Sequence, residues 1–208
     1  LAAAGHNIRL IPYYDTAACR VDFDAFMAEV EKLGSQDVLL LHGACHNPTG
    51  ADLTSAQIDA VISAAAQQGF LPFVDMAYHG FAEGLEEDAY ILREMAKRLP
   101  EALVSYSCSK NFGLYRERTG ALMALGENAK ASAAVKSHML NIARGIYSMP
   151  PAHGGAIVAE ILQTPELAAE WRKEASEMRE AMRRNRRMLV RAAAMQMGDR
   201  LAYIEHQY

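Results

Sequence analysis

Positive charge, cysteine and long apolar runs are all scarce in this sequence. Its 208 residues carry 21 Lys and Arg against 25 Asp and Glu, a formal net charge of −4. That balance argues against a globally basic nucleic-acid-binding protein and gives no reason to expect a nucleic-acid partner. The three cysteines, Cys19, Cys45 and Cys108, are odd in number and contain no C-x-x-C pair. A disulfide scaffold is therefore not expected, and a reducing, cytoplasmic compartment is. No apolar run approaches the ~18 residues of a membrane-spanning helix, so no membrane partner is expected. The first residues lack the charged n-region of a secretory signal. Gly and Pro, at 14 and 7, are too few for a low-complexity or fibrous chain. What is present is a 51% hydrophobic composition, enough for one sizeable core.

The hydrophobic pattern alternates between strand-like and helix-like segments. Ile8 to Tyr14 reads as a strand. Asp22 is placed to cap a helix to about Leu33, with Phe23, Phe26, Met27, Val30 and Leu33 on one stripe. The run Val38-Leu39-Leu40-Leu41 reads as a strand buried on both faces. Thr54 to Gly69 reads as a capped helix, Leu71 to Val74 as a strand ending at Asp75, and Glu86 to Arg98 as a helix. Ala102 to Tyr106 and Ala121 to Leu125 are further strands. This spacing predicts an α/β fold, a mainly parallel sheet sandwiched by helices. Ligands of such sheets bind at the loops leaving the carboxyl ends of the strands.

The last third reads as helical: Glu127 to Arg144, Ala152 to Gln163, and a long helix from Pro165 to about Met195. Leu167, Trp171, Ala175, Met178, Met182 and Leu189 form its expected inward stripe. The long helix is expected to lead from a large domain, residues 1–175, into the start of a smaller one, residues 176–208. The chain begins at Leu1 and ends at Tyr208 in what reads as an extended segment, Leu201 to Ile204, so it is expected to be an internal piece of a longer protein.

Three polar loops follow the strands. In His42-Gly43-Ala44-Cys45-His46-Asn47-Pro48-Thr49-Gly50, two histidines four apart with a cysteine between them invite a zinc reading. The glycine and the Asn-Pro turn make the segment a loop, and a plain turn is the stronger alternative. In Asp75-Met76-Ala77-Tyr78-His79-Gly80-Phe81, an acid sits at the ligand edge of a buried strand, with turn capping as its alternative. In the stretch from Ser105 to Gly120, Ser107, Ser109 and Arg118 suit a phosphate. There Lys110 is either a solvated lysine or an amine suited to covalent catalysis. The basic stretch Arg183-Arg184-Asn185-Arg186-Arg187 reads as a solvated helix face paired with Glu177 and Glu180. No phosphate-binding G-x-x-x-x-G-K-[ST], no G-x-S-x-G and no G-x-G-x-x-G after a strand occurs.

The order His46-Asn47-Pro48-Thr49-Gly50, Asp75-x-x-Tyr78, Ser107-x-Ser109-Lys110, Arg118 resembles the fold-type I pyridoxal-phosphate aminotransferases. Gly80 to Asp88, Ser109 to Tyr115 and Pro150-Pro151-Ala152-His153-Gly154 are similar to the aspartate and aromatic amino acid branch. The resemblance spans nearly the whole chain. It implies pyridoxal 5′-phosphate as cofactor, amino acid and 2-oxo acid substrates, and a homodimer. Lys110 would hold the cofactor and move the substrate proton. Asp75 would pair with the pyridine nitrogen, Asn47 and Tyr78 with the ring's 3′ oxygen, and Ser107, Ser109 and Arg118 with the phosphate. His42 and His46 would lie behind these without bond-making. Arg144 would bind a substrate's distal carboxylate in the partner subunit's site. Rival readings are another pyridoxal-phosphate reaction, or an aminotransferase-like ligand sensor in a transcription regulator. Met149 and the run Leu140-Asn141-Ile142-Ala143 depart from the pattern expected of this branch, which leaves aspartate and aromatic substrates unranked.

Overall fold

The computed structural model describes residues 2–208. Its centre is a four-stranded sheet ordered β3 (Val38–His42), β4 (Leu71–Met76), β5 (Ala102–Ser107), β6 (Gly120–Leu125). The first three strands are parallel and β6 is antiparallel to β5. The mixed, mainly parallel α/β architecture expected from the alternation is therefore present. A separate ribbon joins β1 (Tyr14–Asp15) to β2 (Arg20–Val21). The strand expected over Ile8 to Tyr14 is thus reduced to its final residue. Ile8 and Leu10 are exposed and have no strand partner among the described residues, so apolar composition there did not translate into sheet.

The crossovers explain where the core lies. Helix α2 (Ser55–Gln68) links β3 to β4, and helix α4 (Tyr90–Arg98) lies between β4 and β5. Both steps move across the sheet in one direction, so right-handed crossovers place both helices on one face. That face buries Leu39, Leu41, Val74, Met76, Ala102 and Val104 against Phe26 and Val30 of helix α1 (Phe23–Val30), Val61 and Ile62 of α2, and Ile91 and Met95 of α4. The opposite face carries Val38, 52% exposed, and Leu40, 45% exposed. The reading of β3 as buried on both faces is corrected to strict alternation. A run of apolar residues records what a strand can bury, not which layers its own chain supplies.

Local signals set the helix ends. Asp22 accepts the Ala25 amide at the start of α1. Thr54 and Gln57 form a reciprocal capping box on α2, and Gly69 closes that helix at φ +78°, where a Cβ would be strained. The helix expected over Glu86 to Arg98 is two, α3 (Leu85–Asp88) and α4, separated at Ala89. Asp88 is the last residue before the break. Its buried carboxylate accepts the amides of Gly80 (2.8 Å), Ala82 (3.1 Å), Glu83 (2.9 Å) and Gly84 (3.2 Å). Asp88→Asn keeps the shape but turns an N–H2 toward these donors. Unfolding measurements should show a loss of about 2–4 kcal/mol, because buried bonds to a charged acceptor are lost. Asp24→Asn, on the exposed side of α1, should cost under about 0.5 kcal/mol. Equal stability of the two variants would refute this account of the loop.

Helices α5 (Ala129–Tyr147), α6 (Ala152–Gln163) and α7 (Pro165–Met197) complete the described chain. On α7 only Ala168 and Ala175 are buried, and Trp171 is half-buried. Leu167, Met178, Met182 and Leu189 of the expected inward stripe are exposed. The helix is instead held by polar contacts: Arg179 donates to Gly80 O, and Arg183 donates to Ala82 O and pairs with Glu83 at 2.9 Å. Of the expected acidic partners for the arginine cluster, Glu180 pairs with Arg183 at 3.5 Å, whereas Glu177 lies nearer Lys173, at 3.8 Å. The segment Leu201 to Ile204, expected to be extended, lies in a 3-10 helix, Gly198–His206. No helix among the described residues is long and apolar enough to cross a membrane.

Candidate active site

The carboxyl ends of β3, β4 and β5 bring three of the polar loops to one edge. Parallel register pairs His42 with Asp75, and Asp75 with Ser105. Because paired residues share a face, these groups stand on the face away from the helical core. Asp75 is half-buried, and among the described residues its carboxylate enters no hydrogen bond or ion pair. Its backbone carbonyl accepts the Gly43 amide at 2.8 Å, which ties the first loop to the second.

The His42 to Gly50 loop is a cage of side chain to backbone bonds. The Asp52 carboxylate accepts the Cys45 and His46 amides, each at 2.7 Å, and holds Cys45 at φ +51°. His42 Nδ1 accepts the Asn47 amide at 3.1 Å, so in the neutral ring the proton is on Nε2. His46 stacks on Tyr13 with centroids 4.2 Å apart and lies 4.5 Å from the His42 ring. Burial, then the His42 charge, pushes its pKa down to about 4, so His46 is neutral at physiological pH. His42 thus holds the Asn47 amide, and His46 Nδ1, 2.8 Å from Thr49 Oγ1, holds the turn that follows. Among the described residues no group of three or more His, Cys, Asp or Glu is arranged to hold a metal. Burial, and then Asp52, pushes the Cys45 thiol up to about 12, which keeps it protonated and a poor nucleophile.

Lys110 follows β5 and places its Nζ 4.8 Å from the centroid of the Tyr78 ring, a cation–π distance. Tyr78 follows β4, so this contact joins the second and third loops. Ser109 is buried, and its amide donates to Ser107 Oγ at 3.2 Å. Beyond the last β5–β6 pair, Ser107 with Gly120, the Cys108 amide donates to Thr119 O at 3.0 Å. Ser109 and Arg118 are therefore the next residues beyond that rung, one on each segment. Arg118 sits at φ +53° and donates to Tyr115 O at 3.0 Å. Helix α6 clamps its neighbours: His153 meets Glu117 at 2.9 Å, and Gly154 lies so close to Thr119 and Glu117 that a Cβ has no room.

The structure thus gathers His42, His46, Asn47, Asp75, Tyr78, Ser107, Ser109, Lys110 and Arg118 around one sheet edge. Arg144 is not joined to them. It is exposed in the last turn of α5, and no hydrogen bond or ion pair among the described residues links it to this cluster. Sequence reasoning missed the supports: Tyr13, Asp52, Tyr106 and Asn111, and the role of His79. Asp52, five residues after Asn47, carried a weak signal as an acid beside a turn. The others lie in contacts that no local spacing encodes.

The donor set matches a specific chemistry. Hydroxyls and a guanidinium suit a phosphate, an amine suits a carbonyl carbon, and an unpaired carboxylate suits a protonated ring nitrogen. The family profile described as Aminotransferase class I and II matches residues 1–207. The aromatic-amino-acid aminotransferase of Pseudomonas aeruginosa is 43% identical over 207 residues, 99% of this chain and 52% of that protein. The aspartate aminotransferase of Haemophilus influenzae is 43% identical over 188 residues, 90% of this chain and 48% of that protein. A crystal structure of the aromatic-amino-acid aminotransferase from Burkholderia pseudomallei, covalently bound to pyridoxal phosphate, superposes with a TM-score of 0.95 at 40% identity, covering 99% of this chain and 52% of that one. The chain spans about half the length of these relatives. Sheet topology, the gathered polar edge and these likenesses agree, and the chain belongs to the class I and II aminotransferases.

Proposed function

We propose that the protein carrying this chain is a pyridoxal 5′-phosphate-dependent aminotransferase. It moves an amino group between aspartate or an aromatic amino acid and 2-oxoglutarate in two half-reactions. The observation that carries this reading is the Lys110 ammonium over the Tyr78 ring at the sheet edge that also holds Asp75. The cofactor, when bound, supplies an electron sink for the charge left on the substrate Cα. The residues of this chain supply the rest. Ser107, Ser109 and Arg118 bind the phosphate. Asp75 keeps the proton on the pyridine nitrogen, because an adjacent carboxylate favours the cationic ring. Asn47 and Tyr78 donate to the 3′ oxygen. Lys110 anchors the cofactor, and its amine then carries the proton between the substrate Cα and the cofactor's C4′.

The exposed position of Arg144 at a helix end supports the proposal that it serves the partner's site in a homodimer, where it pairs with a distal carboxylate. The free cysteines support a reducing, cytoplasmic location. A domain boundary near residue 175, with residues 1–175 in the large domain, falls inside the unbroken α7. The exposed Met188, Leu189 and Met195 beyond it support a second packing unit for residues 176–208.

The test is the absorption spectrum of the full-length protein with pyridoxal phosphate. Aspartate or an aromatic amino acid should bleach the lysine-bound cofactor band, and 2-oxoglutarate should restore it with formation of glutamate. A band that no amino donor alters, or a restored band without glutamate, would overturn transamination.

A further inference from the structure

Lys110 and Tyr78 sit on different loops, and the contact between them is soft. A cation–π attraction has little angular preference, and a lysine has a flexible four-carbon stem. Something stiffer must hold the two backbones in register. Their immediate neighbours do so. Asn111 follows Lys110 and is 1% exposed. Its Nδ2 donates to His79 O at 3.2 Å and to Tyr106 Oη at 2.8 Å. His79 follows Tyr78. Its Nε2 lies 2.7 Å from Leu85 O, which can only accept, so Nε2 carries a proton and, in the neutral ring, Nδ1 is an acceptor. Tyr106 Oη, 2.8 Å from His79 Nδ1, therefore donates to it. Every proton in the series has one direction: Asn111 to Tyr106, Tyr106 to His79, His79 to Leu85. Burial raises the Tyr106 pKa, which keeps the phenol a donor. Trp171 closes the other side, with Nε1 donating to Asn111 O at 2.7 Å and its ring stacked 4.4 Å from Phe112.

We propose that Tyr106 is a positioning residue, and that through Asn111 and His79 its hydroxyl fixes the Lys110 amine over the Tyr78 ring. Tyr106 lies on the buried face of β5, paired in register with Met76, and so stands behind the reacting edge. Among the described residues it is also the one side chain that bonds to both the His79 and the Asn111 side chains. This role rests on the reading of Lys110 as the reacting amine.

The test compares Tyr106→Phe, His79→Ala and His79→Gln in the full-length protein. Glutamine restores one acceptor toward Tyr106 and one donor toward Leu85 O. The first readout needs no cofactor: trace acetylation of Lys110, measured by mass spectrometry against the exposed Lys173. Losing a buried bond worth about 1 kcal/mol should change that ratio at least about threefold in Tyr106→Phe and His79→Ala. His79→Gln should stay near wild type. In the loaded protein the pH midpoint of the Lys110-dependent absorbance should move by about half a unit in the first two variants. Their kcat should fall about tenfold with KM within about twofold. Unchanged labelling and an unchanged midpoint in Tyr106→Phe would overturn the proposal, even with a lowered melting temperature. A wild-type protein with no Lys110-dependent band would instead sink the functional reading, and the labelling ratio would still decide whether Tyr106 places the amine. Should Tyr106→Phe fail to fold, the two His79 variants make the same comparison, and equal behaviour of alanine and glutamine overturns it.

Discussion

Lys110→Ala should reduce transamination by at least about 10⁴-fold while the protein stays folded. On the proposed function two separate contributions would disappear with the amine: covalent anchoring of the cofactor and proton transfer at the substrate Cα, the latter alone worth about 10²–10⁴-fold. The fold should tolerate the change. Lys110 is half-buried and its side-chain amine enters no hydrogen bond or ion pair among the described residues, so truncation orphans no buried partner. The cation–π contact with Tyr78 accounts for roughly 0.5–1 kcal/mol. The measurement pairs a glutamate-forming assay and an absorption spectrum with thermal unfolding. A lysine-bound band that survives in Lys110→Ala would place the cofactor on another amine and remove the basis of the proposed mechanism.

Asp75→Asn should leave cofactor binding largely intact and lower kcat by roughly 10²–10³-fold. A carboxylate beside a pyridinium favours the protonated ring by about 1–3 pKa units, and an isosteric amide gives up that preference. Electron withdrawal from the substrate Cα weakens by the same factor. The strand should not move, because the link from this residue to Gly43 is made by the backbone carbonyl. Asp75→Glu, which keeps the charge on a longer stem, should lose less than the amide does. Steady-state kinetics with aspartate and 2-oxoglutarate, beside a cofactor titration, separate binding from chemistry. If asparagine and aspartate gave equal kcat, Asp75 would be a turn cap and not a partner of the ring.

The substrate is the next question the chain raises. A guanidinium pairs readily with a carboxylate, but among the described residues no hydrogen bond or ion pair joins Arg144, at the end of α5, to the cluster at the sheet edge. The proposed pairing with a substrate therefore calls for the partner subunit of the proposed homodimer. On that proposal one residue would serve both specificity and dimerisation, and the choice between aspartate and aromatic substrates would turn on pocket shape.

Much of the architecture was readable from periodicity and punctuation. Asp22, Thr54 and Gly69 mark helix ends because capping is a local event, satisfied by neighbours three or four residues away. Helix α6 begins and ends where its pattern does. The motif residues Asn47, Asp75, Tyr78, Ser107, Ser109 and Lys110 could be picked out because each lies at or beyond the carboxyl end of a strand, and parallel strands deliver those ends to one edge.

Other features belong to tertiary structure alone. The handedness of two successive crossovers, not the apolarity of Val38 to Leu41, decided that β3 buries one face. In place of the expected stripe, α7 presents Arg179 and Arg183 to carbonyls of the 80–82 loop. Asp88, at the end of α3, gathers four amides from the preceding loop. The series from Asn111 through Tyr106 to His79 joins residues up to 32 apart. The sequence by itself determined the order of elements, their caps and the kinds of chemical group at the sheet edge, since these depend on neighbours along the chain. Which face is buried, which loops are clamped and what holds Lys110 over Tyr78 depend on partners distant in sequence, and only the folded chain brings those together.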